Sequence, residues 1–342
     1  MIMIRKWMHA WERACSQRDT NRRVLPFEWG IDWIEGSNPL RSVPPREHLQ
    51  AYAAEVLAQS ECFYRPSPMK EHHLRGTELV FPSPVRTPDE INNTVYARFF
   101  PVNSQGRAVL VIPQWNADSE SHVALCRLLN YFGLTALRLT LPYHEKRKPP
   151  ELERADYLVS PNIGRTIQAC RQAVLEVRLA ADWLERQGYP HLGVLGTSIG
   201  SCIAFLAFCH DPKLKVGVFN HVSSYFADVV WTGITTQHVR QGLEPYVSLQ
   251  ELRNFWSVIS PLPFVRKLQG TLKEGLLISA RYDLTFLPYL AQQLFNEFNQ
   301  LHIPYDKAFL PCGHYTSGAF PFKYLDGWIM ARYLRKKLGA RG

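Results

Sequence analysis

The chain has 342 residues, of which 46% are hydrophobic and 12% aromatic, so it can bury a sizeable core and is not intrinsically disordered. Its formal net charge of +9 is concentrated in residues 1–23 and 331–342, and the body carries no basic stripe of the kind that binds nucleic acid. Scattered cysteines without metal-ligand spacing, and no apolar run near the roughly 18 residues of a spanning helix, predict a reduced, soluble, cytoplasmic protein without metal, cofactor or nucleic-acid partner.

The first 23 residues contain a basic amphipathic helix. Ile4, Trp7, Met8 and Trp11 recur at the spacing i, i+3, i+4 and i+7, opposite mostly charged residues. Such a helix either docks on the protein or lies on an anionic membrane surface. Docking is the commoner outcome, so we expect Trp7 and Trp11 to be largely buried, with membrane-surface contact as the less favoured alternative.

Residues 1–74 together are predicted to form a helical extension packed on a larger domain at 75–342. Pro44 and Pro45 open the second helix of the extension, because proline is well tolerated in a first helical turn. Beyond it, apolar strands alternate with helices. The strands are expected near 78–81, 94–100, 108–112, 135–141, 192–197, 215–220, 275–280 and 306–310, and the last helix at 323–338. This alternation predicts an α/β fold with a doubly wound, mostly parallel sheet.

Residues 226–270 interrupt this alternation with a segment rich in tryptophan, phenylalanine and leucine. An apolar insertion between strands near their carboxyl ends is typical of a cap over a binding site. We therefore expect a helical cap in which Trp231 and Trp256 contact substrate. Buried helical core is the alternative, which composition alone does not exclude.

The strand that begins at Leu192 runs into Gly196-Thr-Ser198-Ile-Gly200, and apolar residues at helical spacing follow. A Gly-x-Ser-x-Gly turn between strand and helix forces strained angles on its central residue and lifts the hydroxyl clear of the sheet. Ser198 is therefore the candidate nucleophile.

A serine hydroxyl needs a base to take its proton and a third group to orient that base. Asp283 and His314 each follow a predicted strand, at the sheet edge where such folds hold their sites. The chain order is then Ser, Asp, His. Asp283 could instead cap a helix that begins near Leu287. Asp228, which follows the preceding strand, is the competing candidate for the acid.

These features resemble the α/β-hydrolase fold: the strand, Gly-Thr-Ser-Ile-Gly turn and helix, the late aspartate, and Gly-His near the C-terminus. The resemblance covers roughly residues 77–342. Within that superfamily, the stretch Leu-Pro-Tyr-His-Glu-Lys-Arg-Lys-Pro and the long helix before the turn are similar to a branch of abhydrolase-domain proteins. The resemblance implies an acyl-enzyme mechanism, with Ser198 as nucleophile, His314 as base and then acid, and Asp283 as the residue that orients it.

One stretch departs from the family pattern. Members commonly have His-Gly at the end of the third strand, whereas this chain has Pro113-Gln114-Trp115-Asn116, and proline has no N–H to donate. The oxyanion hole would then combine the N–H of Ile199 with that of Trp115 or of Gln114. His144 either lines the substrate pocket or forms hydrogen bonds within its loop.

The expected activity is hydrolysis of a carboxylic ester, a small molecule of a class that includes lipid-like substrates. Two alternatives of other classes remain open. The same three residues could transfer the acyl group to an alcohol or thiol, or the chain could be a non-catalytic binding module of the same fold. The sequence gives no indication of oligomeric state.

Overall fold

A computed structural model of the chain describes residues 2–34, 43–68 and 71–340. The strands, in chain order, are β1 (His73–Arg75), β2 (Glu78–Pro82), β3 (Thr94–Phe100), β4 (Arg107–Ile112), β5 (Thr135–Leu139), β6 (His191–Thr197), β7 (Leu214–Asn220), β8 (Glu274–Ala280) and β9 (Asp306–Leu310). The α-helices are α1 (Ile2–Ser16), α2 (Pro45–Ala58), α3 (Ser60–Phe63), α4 (Val123–Tyr131), α5 (Ile163–Arg186), α6 (Ile199–His210), α7 (Phe226–Thr232), α8 (Gln237–Leu243), α9 (Leu249–Phe255), α10 (Pro288–Gln300) and α11 (Phe322–Gly339).

All the strands belong to one sheet, in the order β1-β2-β3-β5-β4-β6-β7-β8-β9. The pairs at the β1 end are antiparallel, up to and including β3 with β5, and every pair from β5 to β9 is parallel. The loops after β4, β6, β7, β8 and β9 therefore lie along one edge of the sheet, which is where a site in such a fold is built. The expected α/β fold with a mostly parallel sheet is confirmed.

Helices cover both faces of the sheet, which explains why its central strands are apolar throughout. Every residue of β4 and of β5 is buried. On one face, residues of α5 and α6 form a core with the segment that follows β7. On the other face, residues of α1, α4 and α11 pack together. The two cores fix the positions of the strand ends and so of the loops that follow them.

The face that α1 presents to the protein differs from the expectation. Trp7 is 61% exposed, so the prediction that it is largely buried is wrong, and Trp11 is half-buried. The buried residues are Met8, Glu12 and Ser16, which follow one another at four-residue steps. The sequence pattern placed Glu12 outside because it is charged. In the folded chain its carboxylate accepts hydrogen bonds from backbone N–H groups, which makes its burial favourable.

The segment between β7 and β8 contains α7, α8, α9 and two 3-10 turns, Trp256–Ile259 and Leu262–Leu268. It is helical, as expected, and much of it is buried core. Trp256 and Phe264 are both buried against the body of the protein. Residues of α7 face the site described below. Across the described ranges, no helix combines the length and the apolar character that crossing a bilayer requires.

Candidate active site

Ser198 stands in a strained turn between β6 and α6. Its φ of 59° and ψ of −125° are rare for a residue with a side chain. A Cβ added at Gly196 would lie 2.0 Å from the carbonyl oxygen of Gly200, and one added at Gly200 would lie 2.3 Å from that of Ile112. Only glycine fits at both positions, which explains the Gly-x-Ser-x-Gly spacing. The turn projects the Ser198 side chain beyond the sheet edge.

His314 lies in the loop after β9, with Nε2 3.1 Å from Oγ of Ser198. The first residues after His314 are fixed by the N-terminal helix. Glu12 of α1 accepts the backbone N–H of Thr316 at 2.8 Å through Oε1 and that of Tyr315 at 3.1 Å through Oε2. The position of His314 therefore depends on a residue about 300 positions earlier in the chain.

Asp283 orients His314 from the loop after β8. Its Oδ2 is 3.1 Å from Nδ1 of His314, and its Oδ1 accepts the backbone N–H groups of Thr285 and Phe286, both at 2.7 Å. Burial alone would raise the pKa of this carboxyl, but its interactions with the imidazoles of His314 and His221, both of which donate hydrogen bonds to it, hold the pKa well below its usual value. An ionised Asp283 keeps the Nδ1 proton on His314, so that the Nε2 lone pair faces the serine.

Asp228, the competing candidate, is engaged elsewhere. It lies on α7, fully buried, and both its oxygens accept hydrogen bonds from the guanidinium of Arg253. The structure therefore brings Asp283 rather than Asp228 to the histidine.

His221, which the sequence analysis did not single out, is the fourth side chain at this point. It follows β7 directly, and its Nδ1 lies 2.8 Å from the same Asp283 oxygen that His314 contacts. Its position at the carboxyl end of a strand, like those of Asp283 and His314, is the signal that could have identified it. The sequence expectation placed a histidine only after the last strand, as the base.

His144 supports the loop after β4 rather than lining the pocket. Its Nε2 accepts the N–H of Asn116 at 2.9 Å, while Nδ1–H donates to the carbonyl of Pro142 at 2.8 Å. This pairing requires a neutral ring, and burial lowers the pKa of His144 to about 4. Trp115 is fixed as well, because its indole N–H donates to the carbonyl of Ala155 at 2.9 Å. The loop expected to contribute to the oxyanion hole is thus held in place from several sides.

Of the expected oxyanion donors, Ile199 directly follows the serine in the chain. Ile199 is the first residue of α6, so its N–H belongs to the positive end of a helix dipole. Within the described ranges, no protein acceptor is found for the backbone N–H of Ile199, Trp115 or Gln114. Trp115 and Ile199 both line the cleft around Ser198, whereas Gln114 does not.

The cleft beside Ser198 encloses about 430 Å³, including its mouth, and its walls are largely apolar. The residues that line it are Trp115, Val159, Ser198, Ile199, Cys202, Ser223, Phe226, Val229, Val230, Thr235, Thr236, Thr285 and Phe286. The expected contacts Trp231 and Trp256 are not among them. Trp256 is fully buried in the core, with its indole N–H directed at the carbonyl of Ile163, and half-buried Trp231 packs under Arg240.

One cluster in the described ranges has metal-ligand composition. His221, Asp283 and His314 offer one ligand atom each, all within 4.8 Å of one another. Hydrogen bonds account for these short distances, since a proton lies between Asp283 and each imidazole, and the other nitrogen of His314 faces Ser198. We therefore assign the cluster to the hydrogen-bonded site.

The parallel sheet with an antiparallel edge, and the strand-turn-helix that carries Ser198, define an α/β-hydrolase-fold protein. Within that class, the family described as "Alpha/beta hydrolase domain containing 18" matches residues 120–241, about a third of the chain. The matched segment includes the loop of His144, helix α5 and the serine turn, and it ends before Asp283 and His314.

Solved structures of esterases and peptidases share the fold. Acetyl xylan esterase 1 from Thermoanaerobacterium sp. is 13% identical with a TM-score of 0.55, covering 85% of this chain and 93% of that one. A puromycin-hydrolyzing peptidase from Mycobacterium tuberculosis is 13% identical with a TM-score of 0.56, covering 80% and 48%. An acylaminoacyl peptidase from Pyrococcus horikoshii is 11% identical with a TM-score of 0.51, covering 70% and 38%. The chain thus spans less than half the length of either peptidase, and these likenesses concern the fold.

Proposed function

We propose that the chain is a serine hydrolase that cleaves carboxylic esters through an acyl-enzyme intermediate. The observation that carries the proposal is the line of contacts from Ser198 Oγ to His314 Nε2 at 3.1 Å and from His314 Nδ1 to Asp283 Oδ2 at 3.1 Å. These distances match the geometry in which a histidine activates a serine and a carboxylate fixes its tautomer.

In the first half-reaction, Ser198 Oγ attacks the ester carbonyl while its proton passes to Nε2 of His314. The N–H of Ile199 and, by our assignment, that of Trp115 receive the oxyanion. His314 then returns the proton to the departing alcohol, leaving the acyl group on Ser198. In the second half-reaction, water gives one proton to His314 and attacks the acyl carbonyl, the bond between Ser198 Oγ and the acyl group breaks to release the acid, and His314 returns the proton to Oγ. Asp283 stabilises the imidazolium that forms in each step.

The lining of the cleft favours recognition of the acyl part of the substrate. Its walls are mostly aliphatic and aromatic side chains, which bind by burying apolar surface and leave the polar groups beside Ser198 for the reaction. Esterases of the same fold, such as acetyl xylan esterase 1, support a small-molecule ester as substrate. We propose an ester with an apolar acyl chain, a class that includes lipid-like substrates.

Labelling with a fluorophosphonate probe tests the nucleophile directly. Ser198→Ala should abolish labelling and lower kcat on a p-nitrophenyl ester by roughly 10³-fold or more, because the hydroxyl 3.1 Å from His314 is that of Ser198, whereas the other hydroxyl of the turn, that of Thr197, lies 2.9 Å from Nε2 of His122. Ser257→Ala is the matched control, since this buried serine of the segment between β7 and β8 is not among the residues that line the cleft, and labelling should persist.

Turnover that survives in a well-folded Ser198→Ala protein would contradict the proposal. Product analysis with and without an added alcohol or thiol separates hydrolysis from acyl transfer. Release of free acid as the main product in both reactions is the expected result.

A further inference from the structure

His221 contacts Asp283 of the proposed triad, which consists of Ser198, His314 and Asp283, yet it has no role in the proposed mechanism. Its side chain is buried, and its φ of 60° is uncommon for a residue other than glycine. Its ring centre lies 4.5 Å from that of His314. Strained, buried titratable residues are often retained because a site uses them.

The hydrogen bonds around His221 determine where its protons are. Nδ1 faces the ionised Asp283 at 2.8 Å, so Nδ1 must carry a proton. Nε2 faces Oγ of Ser317 at 3.2 Å. Ser317 has a single hydroxyl proton, which it donates to the carbonyl of His314 over a shorter distance of 2.7 Å. Its oxygen is then left to accept from Nε2–H, so both nitrogens of His221 are donors and the ring is an imidazolium.

Carboxylates from three further elements balance this charge. Asp283 comes from the loop after β8, Asp326 from α11 and Glu12 from α1, and all three favour the charged ring. Although burial opposes the charge, these neighbours raise the pKa of His221 above its usual value. The pKa of Asp326 is itself raised by burial to about 6, so at neutral pH this group is also negative.

We propose that His221 is a charged partner of the triad, an imidazolium that shares Asp283 with His314 and limits how strongly the carboxylate draws a proton onto His314. His221 touches no reacting atom, so it is a positioning residue that acts through Asp283. The proposal rests on the proposed function for its effect on catalysis, although the charge state of His221 does not depend on it.

A charged His221 is expected to affect the pH range over which the enzyme is active. An unshared Asp283 would favour protonated His314, which has no lone pair for the serine proton. A cation whose ring centre lies 4.5 Å from that of His314 opposes this protonation by electrostatic repulsion. With His221 charged, we expect the enzyme to stay active to lower pH than a variant with a neutral residue at position 221.

The pH profile of kcat/KM in His221→Gln tests this effect. Glutamine is neutral and can still donate to Asp283. We expect the acid limb to move up by about one pH unit. Activity should then fall several-fold at pH 6 and change less than about threefold at pH 8.5. A purely structural role would lower kcat at every pH and leave the limb in place, and that outcome would overturn the proposal.

His210→Gln is the matched control. His210 is also buried, and its Nδ1 bonds the carbonyl of Leu206 within α6, away from the triad. Its replacement should lower thermal stability without moving the acid limb. An equal shift of the limb in both variants would assign the effect to general loosening of the core and refute the proposal.

Nitrogen-15 NMR of the histidine rings decides the charge state in the unaltered protein. The signal that disappears in His221→Gln identifies His221. If that variant does not fold, the signal that shifts in Ser317→Ala identifies it instead. Both ring nitrogens should have imidazolium shifts at pH 7. A neutral tautomer there would overturn the inference even if the enzyme is active. A charged ring in a protein that neither reacts with fluorophosphonate nor turns over esters would instead refute the proposed function alone.

Discussion

Asp283 uses its two carboxylate oxygens for different purposes. Oδ1 holds the turn that follows β8 by accepting the N–H groups of Thr285 and Phe286, and Oδ2 receives the imidazoles. Oδ1 thus holds a turn ahead of α10 and does not cap that helix, whose N-cap is Leu287, so the helix-cap interpretation is wrong. Phe286, placed by the same turn, stacks on His314 with ring centres 5.1 Å apart. One carboxylate thus fixes both the polar and the apolar neighbour of the base.

We expect Asp283→Asn to lower kcat by up to about 10⁴-fold, because the amide no longer selects the His314 tautomer that has its lone pair towards Ser198. Asp228→Asn is the comparison. It weakens the pairing with Arg253, so it should lower the free energy of unfolding by about 1–3 kcal/mol and leave kcat within about twofold. Steady-state kinetics and urea unfolding measure the two effects. The reverse ranking of kcat would assign the acid to Asp228.

Ser198, Asp283 and His314 could be predicted because each directly follows an apolar strand, and strand ends meet at one edge of a parallel sheet. Pairings that depend on the fold could not. Nothing in the local pattern around Glu12 indicates that its carboxylate caps a loop near residue 315, and Trp256 looks like a lid residue in sequence although the fold buries it completely. Apolar periodicity identifies elements, while partners distant in sequence are fixed only by their packing.

Helix α1 acts on the site through one side chain. Glu12 accepts two backbone N–H groups of the His314 loop, and the lack of a side chain at Gly313 makes room for it, since a Cβ there would lie 2.3 Å from the Glu12 carboxyl carbon. Helix α1 therefore holds the loop of His314 at the candidate site through Glu12, whereas Trp7 on its outer face is exposed.

Glu12→Ala should lower kcat by about 10- to 100-fold, because the loop loses both acceptors and small displacements of a base are costly. Its melting temperature should fall as well, since two buried N–H groups lose their partner. Trp7→Ser, on the exposed face of the same helix, is the control; it should leave kcat unchanged and lower the melting temperature less, because it loses only its contact with the ring of Trp11. Steady-state kinetics and thermal melts measure the two effects. Equal behaviour of Glu12→Ala and Trp7→Ser would refute the dependence of the site on Glu12.

Across the whole molecule, ionisable groups from four elements meet beneath the candidate site: Glu12, His221, Asp283 and Asp326. The raised pKa values of His221 and Asp326 both make the fold less stable as pH rises. The raised pKa of His221 stabilises the fold at pH below the usual histidine value near 6.5, and this contribution is lost as pH rises through the folded-state value. Burial raises the pKa of Asp326 from the usual 3.8 to about 6, so ionisation of Asp326 in the folded protein lowers the free energy of unfolding.

Asp326→Asn should therefore stabilise the protein at high pH. Below about pH 4 the carboxyl is protonated in folded and unfolded chains alike, and the substitution gains nothing. Above about pH 6 the penalty is fully present, and its removal should raise the free energy of unfolding by up to about 2 kcal/mol. Urea titrations at pH 5 and pH 8 measure the difference, with exposed Glu185→Gln as the control. A gain that is equal at both pH values would contradict the assignment.

The contact between Glu12 and Thr316 also has a consequence for synthesis of the protein. It spans 304 positions, and β9, which precedes His314, is the last strand of the described sheet along the chain. Because a chain is synthesised from its N-terminal side, α1 is made about 300 residues before the backbone groups that Glu12 caps. The proposed activity is therefore expected only after the loop of His314 has been made and has docked on α1.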